Sequence, residues 1–175
     1  MKIGGRTDFK ERREITLIES SGSKPEIKVK IEALPLGFDA LVESRVPSPR
    51  APLKIITKQN GSPERYDTGP EKGKPIVAPD EQDPSYLAGL RKSQYRQGIA
   101  IFYEATRNDG TIEFDTEEPA DGSSNGAWGE FYDNLFTEVR TSGIPAGCIL
   151  NACIEVASLS GISQDKLKDA ASDFS

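Results

Sequence analysis

Histidine is absent from this chain of 175 residues. That removes Ser-His-Asp and Cys-His catalysis and the common histidine-based metal sites, and does not exclude carboxylate or metal-dependent chemistry. Cysteine is scarce as well, confined to Cys148 and Cys153. Both fall in a stretch that reads as helix, where an offset of five residues turns the side chains about 140° apart. They cannot bridge within one straight helix, and a pair at this spacing without histidine is a poor zinc site. Two small apolar side chains in a core is the simplest reading. Apolar residues make up only 35% of the chain, so the core is modest and part of the chain is expected outside it. Long hydrophobic runs are missing. The longest, Ile99–Tyr103 and Ile144–Ile149, are far too short to cross a membrane. Met1–Arg13 is charged and lacks an apolar h-region, so no secretory signal is expected and an intracellular setting is the default. Neither G-x-x-x-x-G-K-[ST] nor G-x-G-x-x-G occurs, which removes the familiar phosphate-binding loops.

What the chain does have is an uneven charge. The net value is −6, yet residues 83–175 alone carry seven basic and fifteen acidic side chains. An acidic half speaks against nucleic acid as its partner, because phosphate binding needs a basic face. Basic protein partners, or plain solvation, fit better.

Three regions separate by composition. In residues 1–45, Glu14–Glu19 is rich in β-branched residues. Ile27, Val29, Ile31 and Ala33 then alternate with Lys28, Lys30 and Glu32, the period of a half-buried strand with a solvated face. Together they predict a β-hairpin arm. A lone hairpin is marginal in water, so it must dock on the helical half, a neighbouring subunit or a partner. Phe38–Ser44 reads as one or two helical turns, with Phe38, Leu41 and Val42 on one side. Residues 46–82 hold seven of the twelve prolines, a density that breaks helices and ladders and predicts an extended connector. Leu53–Thr57 and Pro75–Ala78 are short apolar patches within it.

Residues 83–175 read as an acidic domain of three to four helices. Asp83 supplies a cap and Pro84 a first helical position. An amphipathic helix follows, with Leu87, Leu90, Tyr95, Ile99, Ile101, Phe102 and Ala105 on one half, stopped at Asn108-Asp-Gly110. Trp128, Phe131, Tyr132, Leu135, Phe136 and Val139 recur at steps of three and four, the clearest periodicity in the chain. Pro145 opens a further helix with Ile149, Ala152, Cys153, Val156 and Leu159 on one stripe, and Gly161 suits its stop. Ser163 then caps a short last helix bearing Leu167, Ala171 and Phe174. The expected class is therefore α+β: an arm at 1–45, a proline-rich connector at 46–82 and a helical domain at 83–175.

No residue presents itself as catalytic, cofactor-binding or metal-ligating. The acids from Asp109 to Asp121 lack the D-x-[DN]-x-[DN]-G spacing of a calcium loop and include Pro119. They read first as a solvated loop. Glu117 and Glu118 could do acid–base work only in a dry pocket, which nothing in the sequence provides. The stripe of Trp128, Phe131, Tyr132 and Phe136 is most simply core, while its rim offers a groove for a partner helix. Those four rings, with Glu117 and Glu118, are the candidate partner-binding residues.

Three passages resemble the tail assembly chaperones of tailed bacteriophages. Ile31-Glu-Ala-Leu-Pro-Leu-Gly-Phe38 looks like the family's strand followed by A-L-P-L-G-aromatic. Asp83-Pro-Ser-Tyr86 looks like its D-P-x-Y helix opening. Trp128 through Ile162 looks like its closing helices, ending in L-S-G-[IL]. The resemblance covers about half of the chain. It implies a non-enzymatic protein of virion morphogenesis, without cofactor, that binds a helical tape-measure protein in the host cytoplasm while the tail tube assembles. Homo-oligomers are compatible with it; nucleic acid and membrane are not expected as partners. The alternative is a structural virion component, such as a head–tail connector or capsid decoration protein, whose arm and connector lace subunits together.

Overall fold

The computed structural model describes residues 11–18 and 25–161. Eight elements follow one another: β1 (Arg12–Ile18), β2 (Ile27–Glu32), α1 (Phe38–Arg45), β3 (Leu53–Ile55), β4 (Val77–Pro79), α2 (Pro84–Thr106), α3 (Asn125–Thr141) and α4 (Ala146–Leu159). A small hairpin followed by helices makes the α+β class expected from the sequence. The last helix, predicted from Ser163, lies outside the described residues.

The chain divides into two compact units, residues 1–47 with 93–175, and residues 48–92. This differs from the expected division into arm, connector and helical domain, because the hairpin and the helices belong to one unit. The reason is burial. β1 and β2 pair antiparallel, from Arg12 opposite Glu32 to Ile18 opposite Ile27, with a register shift between Thr16 and Ile18. Leu17, Val29 and Ile31 turn inward and are nearly inaccessible, in one cluster with Phe102, Leu135 and Val156. A hairpin of this size has no second layer of its own; here the helices supply it.

Polar side chains lock that docking. The Asp109 carboxylate, at the turn after α2, accepts from the Lys30 N–H at 2.6 Å. Ser160 Oγ accepts from the Leu34 N–H at 2.9 Å. Arg13 pairs with Glu155 of α4 at 2.7 Å. Glu32 departs from the expected solvated face: it is 7% exposed, and its two oxygens accept from Arg12 Nε and Asn108 Nδ2. The expected alternation holds from Lys28 to Ile31; it departs at Glu32, where Asn108 after α2 covers the polar face, and at Ile27, which is 42% exposed.

The second unit corrects the picture of an extended connector. β3 and β4 pair antiparallel, and isolated bridges join Thr57 to Pro63 and Arg65 to Pro75. Three segments close a ring of backbone bonds. The Ile56 N–H donates to the Ile76 carbonyl (2.9 Å), Ile76 to Glu64 (2.8 Å) and Glu64 to Ile56 (2.8 Å). Proline was expected to break such ladders. Each proline here removes a single donor, and a neighbour carries the bond instead: opposite Leu53, Pro79 has no N–H, and the Asp80 N–H reaches the Pro52 carbonyl at 2.6 Å. α2 starts in this unit as its sequence requires. Asp83 Oδ1 accepts from the N–H groups of Ser85 and Tyr86, both at 2.9 Å. Its carboxyl pKa is lowered, first by the Ser85 hydroxyl and then by the Tyr86 N–H.

Candidate functional site

The rings of α3 explain themselves by their angles on the helix. At 100° per residue, Trp128, Tyr132, Leu135 and Phe131 centre on one side, and Phe136 falls about 80° from Trp128. The first four are buried. Trp128 and Phe131 meet edge to face at 5.7 Å, and the Arg45 guanidinium at the end of α1 lies 3.5 Å from the centre of the Trp128 ring. Tyr132 has its phenol pKa raised by burial, against the nearby Arg45. On the other flank Arg96 of α2 donates from Nε and Nη2 to Asp133 at 2.7 and 2.8 Å. Gly129 makes room for that guanidinium, since a Cβ there would stand 3.1 Å from it.

Trp128, Phe131 and Tyr132 are therefore packed in the core, the first of the two readings the sequence allowed. Phe136 reaches a concave surface, and Phe131 lines a second, smaller hollow together with Glu117, Pro119 and Glu130. The acids divide in the same way. Glu117 is exposed. Glu118 accepts from Tyr103 Oη at 3.2 Å and from Arg107 at 3.5 Å, so it closes a local network. Tyr103 has its pKa raised, first by burial and then by Glu118. Glu138 of α3 pins the loop by accepting from the N–H groups of Asp115 (2.8 Å) and Thr116 (3.1 Å). Asp109 is 8% exposed. Burial acts to raise its pKa, but the Lys30 N–H and Thr111 outweigh that and hold it lowered. The expected solvated loop is thus anchored through its own acids at two points, and through Glu138 at a third. Of the six candidate residues, Phe131 and Glu117 line one hollow and Phe136 lines another.

The concave surface that Phe136 reaches is a groove of about 760 Å³ within the first unit. α1 supplies Phe38 and Val42, α2 supplies Tyr95, Gly98 and Ile101, and α3 supplies Phe136 and Val139. α4 supplies Ala146, Ile149, Leu150, Cys153, Ile154 and Ala157 along its whole length. The rim is polar: Asp39 and Glu43 on α1, Gln94 and Gln97 on α2, Arg140 on α3. Tyr95, 41% exposed, stacks on Phe136 at 5.3 Å.

The source of this groove is the composition of α4. Its fourteen residues, AGCILNACIEVASL, are apolar almost all round. Ala152, Val156 and Leu159 point one way, into the cluster that includes the hairpin, and Glu155 meets Arg13 on the same side. About 100° round lie Ile149, Leu150, Cys153 and Ala157, facing the groove. Asn151 and Ser158 mark the narrow exposed strip between. The sequence stripe of Ile149, Ala152, Cys153, Val156 and Leu159 merged two faces into one. The signal for the second face was there, because a helix apolar all round demands burial all round. Cys148 and Cys153 are free thiols, as the helix geometry requires. Burial pushes the Cys153 thiol up to about 12.

The groove's walls are mainly hydrocarbon and aromatic, with Asp39, Glu43, Gln94, Gln97 and Arg140 among the lining residues. Among the described residues, no three His, Cys, Asp or Glu side chains gather to hold a metal ion, and no helix is long and apolar enough to cross a membrane. No protein-family model matches the chain, and no curated protein or solved structure matches it either.

Proposed function

We propose that this chain is a non-enzymatic protein-binding factor of bacteriophage tail assembly that works in the host cytoplasm. It shields a helical, tape-measure-like client while tail-tube subunits assemble. The observation that carries the reading is the groove beside α4, apolar over its length and polar at its rim. An amphipathic helix lays its i, i+3, i+4, i+7 anchors into such a concavity. The phage assignment rests on the resembling passages. Two of the three coincide with parts that build the groove: Ile31–Phe38 leads from β2 into α1, and Trp128–Ile162 spans α3 and α4. The acidic half favours a basic client, and attraction between exposed charges such as Glu117 speeds encounter more than it tightens the complex.

The test is to recover the tagged full chain from infected cells and identify what comes with it. A long helical tail protein should co-purify, and Leu150→Glu, on the groove wall, should abolish the capture while the chain stays folded. Capture indifferent to that substitution would refute the groove as the binding site. Stoichiometric amounts of the chain in purified particles would make it a structural virion component instead.

A further inference from the structure

The unit of residues 48–92 holds a surface that the groove does not use. In β3 and β4, Leu53 stands opposite Pro79 and Ile55 opposite Val77. Opposed residues share a face of a sheet, so these four make one apolar face. Leu53 is 69% exposed, Ile55 50% and Val77 48%. The ladder fixes which way the backbone of β3 points. The Asp80 N–H reaches the Pro52 carbonyl at 2.6 Å, and the Ile56 N–H reaches the Ile76 carbonyl at 2.9 Å. Hydrogen-bonded pairs alternate along an antiparallel ladder, so Lys54 and Ala78, midway between, exchange the next bonds. The N–H and C=O groups of Leu53 and Ile55 therefore face away from β4. The segment around Glu64 meets the same side as β4, since Glu64 and Ser62 bond to Ile56 and Lys58, residues in phase with Lys54. Among the described residues, no hydrogen bond closes the outer edge of β3.

We propose that this edge takes up an extended segment of another protein as an added strand, one in which apolar and acidic side chains alternate. Main-chain groups aimed outward give such a strand its hydrogen bonds, and the side chains on its two faces give it its pattern. On one face, apolar side chains of the new strand lie beside Leu53 and Ile55 and cover them. On the other stands Lys54, with Lys58 in the same phase. From residue 48 to residue 63 the chain carries Arg50, Lys54 and Lys58 and no acid. Lys54 pairs with Asp80 at 2.8 Å, yet both it and Lys58 remain exposed to an incoming carboxylate. Charge also decides against a second copy on this edge. Two β3 strands paired antiparallel about their midpoint set Lys54 against Lys54, and like charges directly opposite destabilise a pair. Lysine on an edge strand guards against such self-pairing and leaves the edge open to a strand of opposite charge. The area agrees. A face three residues long and two strands wide spans about 10 Å by 10 Å, far below the roughly 800 Å² per partner of a stable dimer. The inference goes beyond the proposed client, which enters the groove as a helix.

The test uses the full chain and a short fluorescent peptide in which glutamate and valine alternate. Anisotropy should show saturable binding. The lysine–valine analogue, and a peptide of the same composition with its valines in one block, should bind at least about tenfold more weakly. Amide exchange followed by NMR reads the contact directly. The Leu53 and Ile55 N–H groups should become protected several-fold on saturation, while that of Lys54, already in the ladder, changes little. Ile55→Pro removes an outward donor without breaking the ladder and should abolish binding; the exchange measurement on the parent chain decides even where that variant folds poorly. Leu150→Glu, on the groove wall, should bind the peptide as the parent does, so this test and that of the groove fail separately. No binding, equal binding of the lysine analogue, or binding that leaves the Leu53 and Ile55 amides unprotected would overturn the proposal. So would loss of binding in the Leu150→Glu chain, or protection that rises with protein concentration alone, which would put a second copy on the edge.

Discussion

Asp109 is the most informative single side chain to remove. Its carboxylate ties the turn after α2 to the middle of β2 by accepting from the Lys30 N–H at 2.6 Å, and it also accepts from Thr111 through both the N–H (3.1 Å) and the hydroxyl (2.8 Å). Asp109→Ala leaves the Lys30 N–H without this acceptor in a partly buried place. A hydrogen bond to a charged group contributes about 1.5–3 kcal/mol, and an orphaned donor adds to its loss. The expected cost is about 3 kcal/mol, which for a chain of this size lowers the melting temperature by roughly 6–12 °C. The pH dependence carries its own sign. The folded carboxyl has its pKa below the ordinary 3.8, so it contributes stability above that value and loses it as pH falls through the lower folded one. The gap between parent and variant should therefore hold steady from neutrality to about pH 4 and narrow below it. Thermal melts across a pH series measure this, and hydrogen exchange at the Lys30 amide reports the bond directly. A variant that melts with the parent, and keeps Lys30 equally protected, would refute the idea that this carboxylate fastens the hairpin to the helices.

Trp128→Ala should cost about 3–5 kcal/mol by urea denaturation, because the indole is buried and carries Arg45 on its face; unchanged stability would contradict its place in the core. Gly129→Ala should destabilise the parent even though alanine is favoured in helices by about 1 kcal/mol, because Asp133 holds the Arg96 guanidinium where the new methyl must go. In an Arg96→Ala background the same change should stabilise, and a sign that stays constant would show that the guanidinium gives way. Iodoacetamide under native conditions should modify Cys148 ahead of Cys153, whose thiol is buried and pushed up to about 12; mass spectrometry of the two peptides decides, with equal labelling as the refuting result.

Local signals were readable without the structure wherever neighbours along the chain settle the matter. The hairpin strand with alternating Ile27, Val29 and Ile31, the Asp83 cap before Pro84, the ring periodicity from Trp128 to Val139 and the stop at Gly161 all depend on spacing within a few residues. Each appears where its pattern places it. What the tertiary structure decided is which surfaces meet. Nothing local says that the Glu32 carboxylate is covered by Asn108, that Asp109 reaches Lys30 across seventy-nine positions, or that prolines 63, 75 and 79 sit in bridges rather than in an open linker. Those outcomes depend on long-range pairings, whose partners one-dimensional patterns do not name. The groove falls between the two. Its cause, an apolar α4, was written in AGCILNACIEVASL, but only packing showed that the hairpin takes one face and leaves the other open, because a helix has two sides to bury and a two-stranded arm covers one.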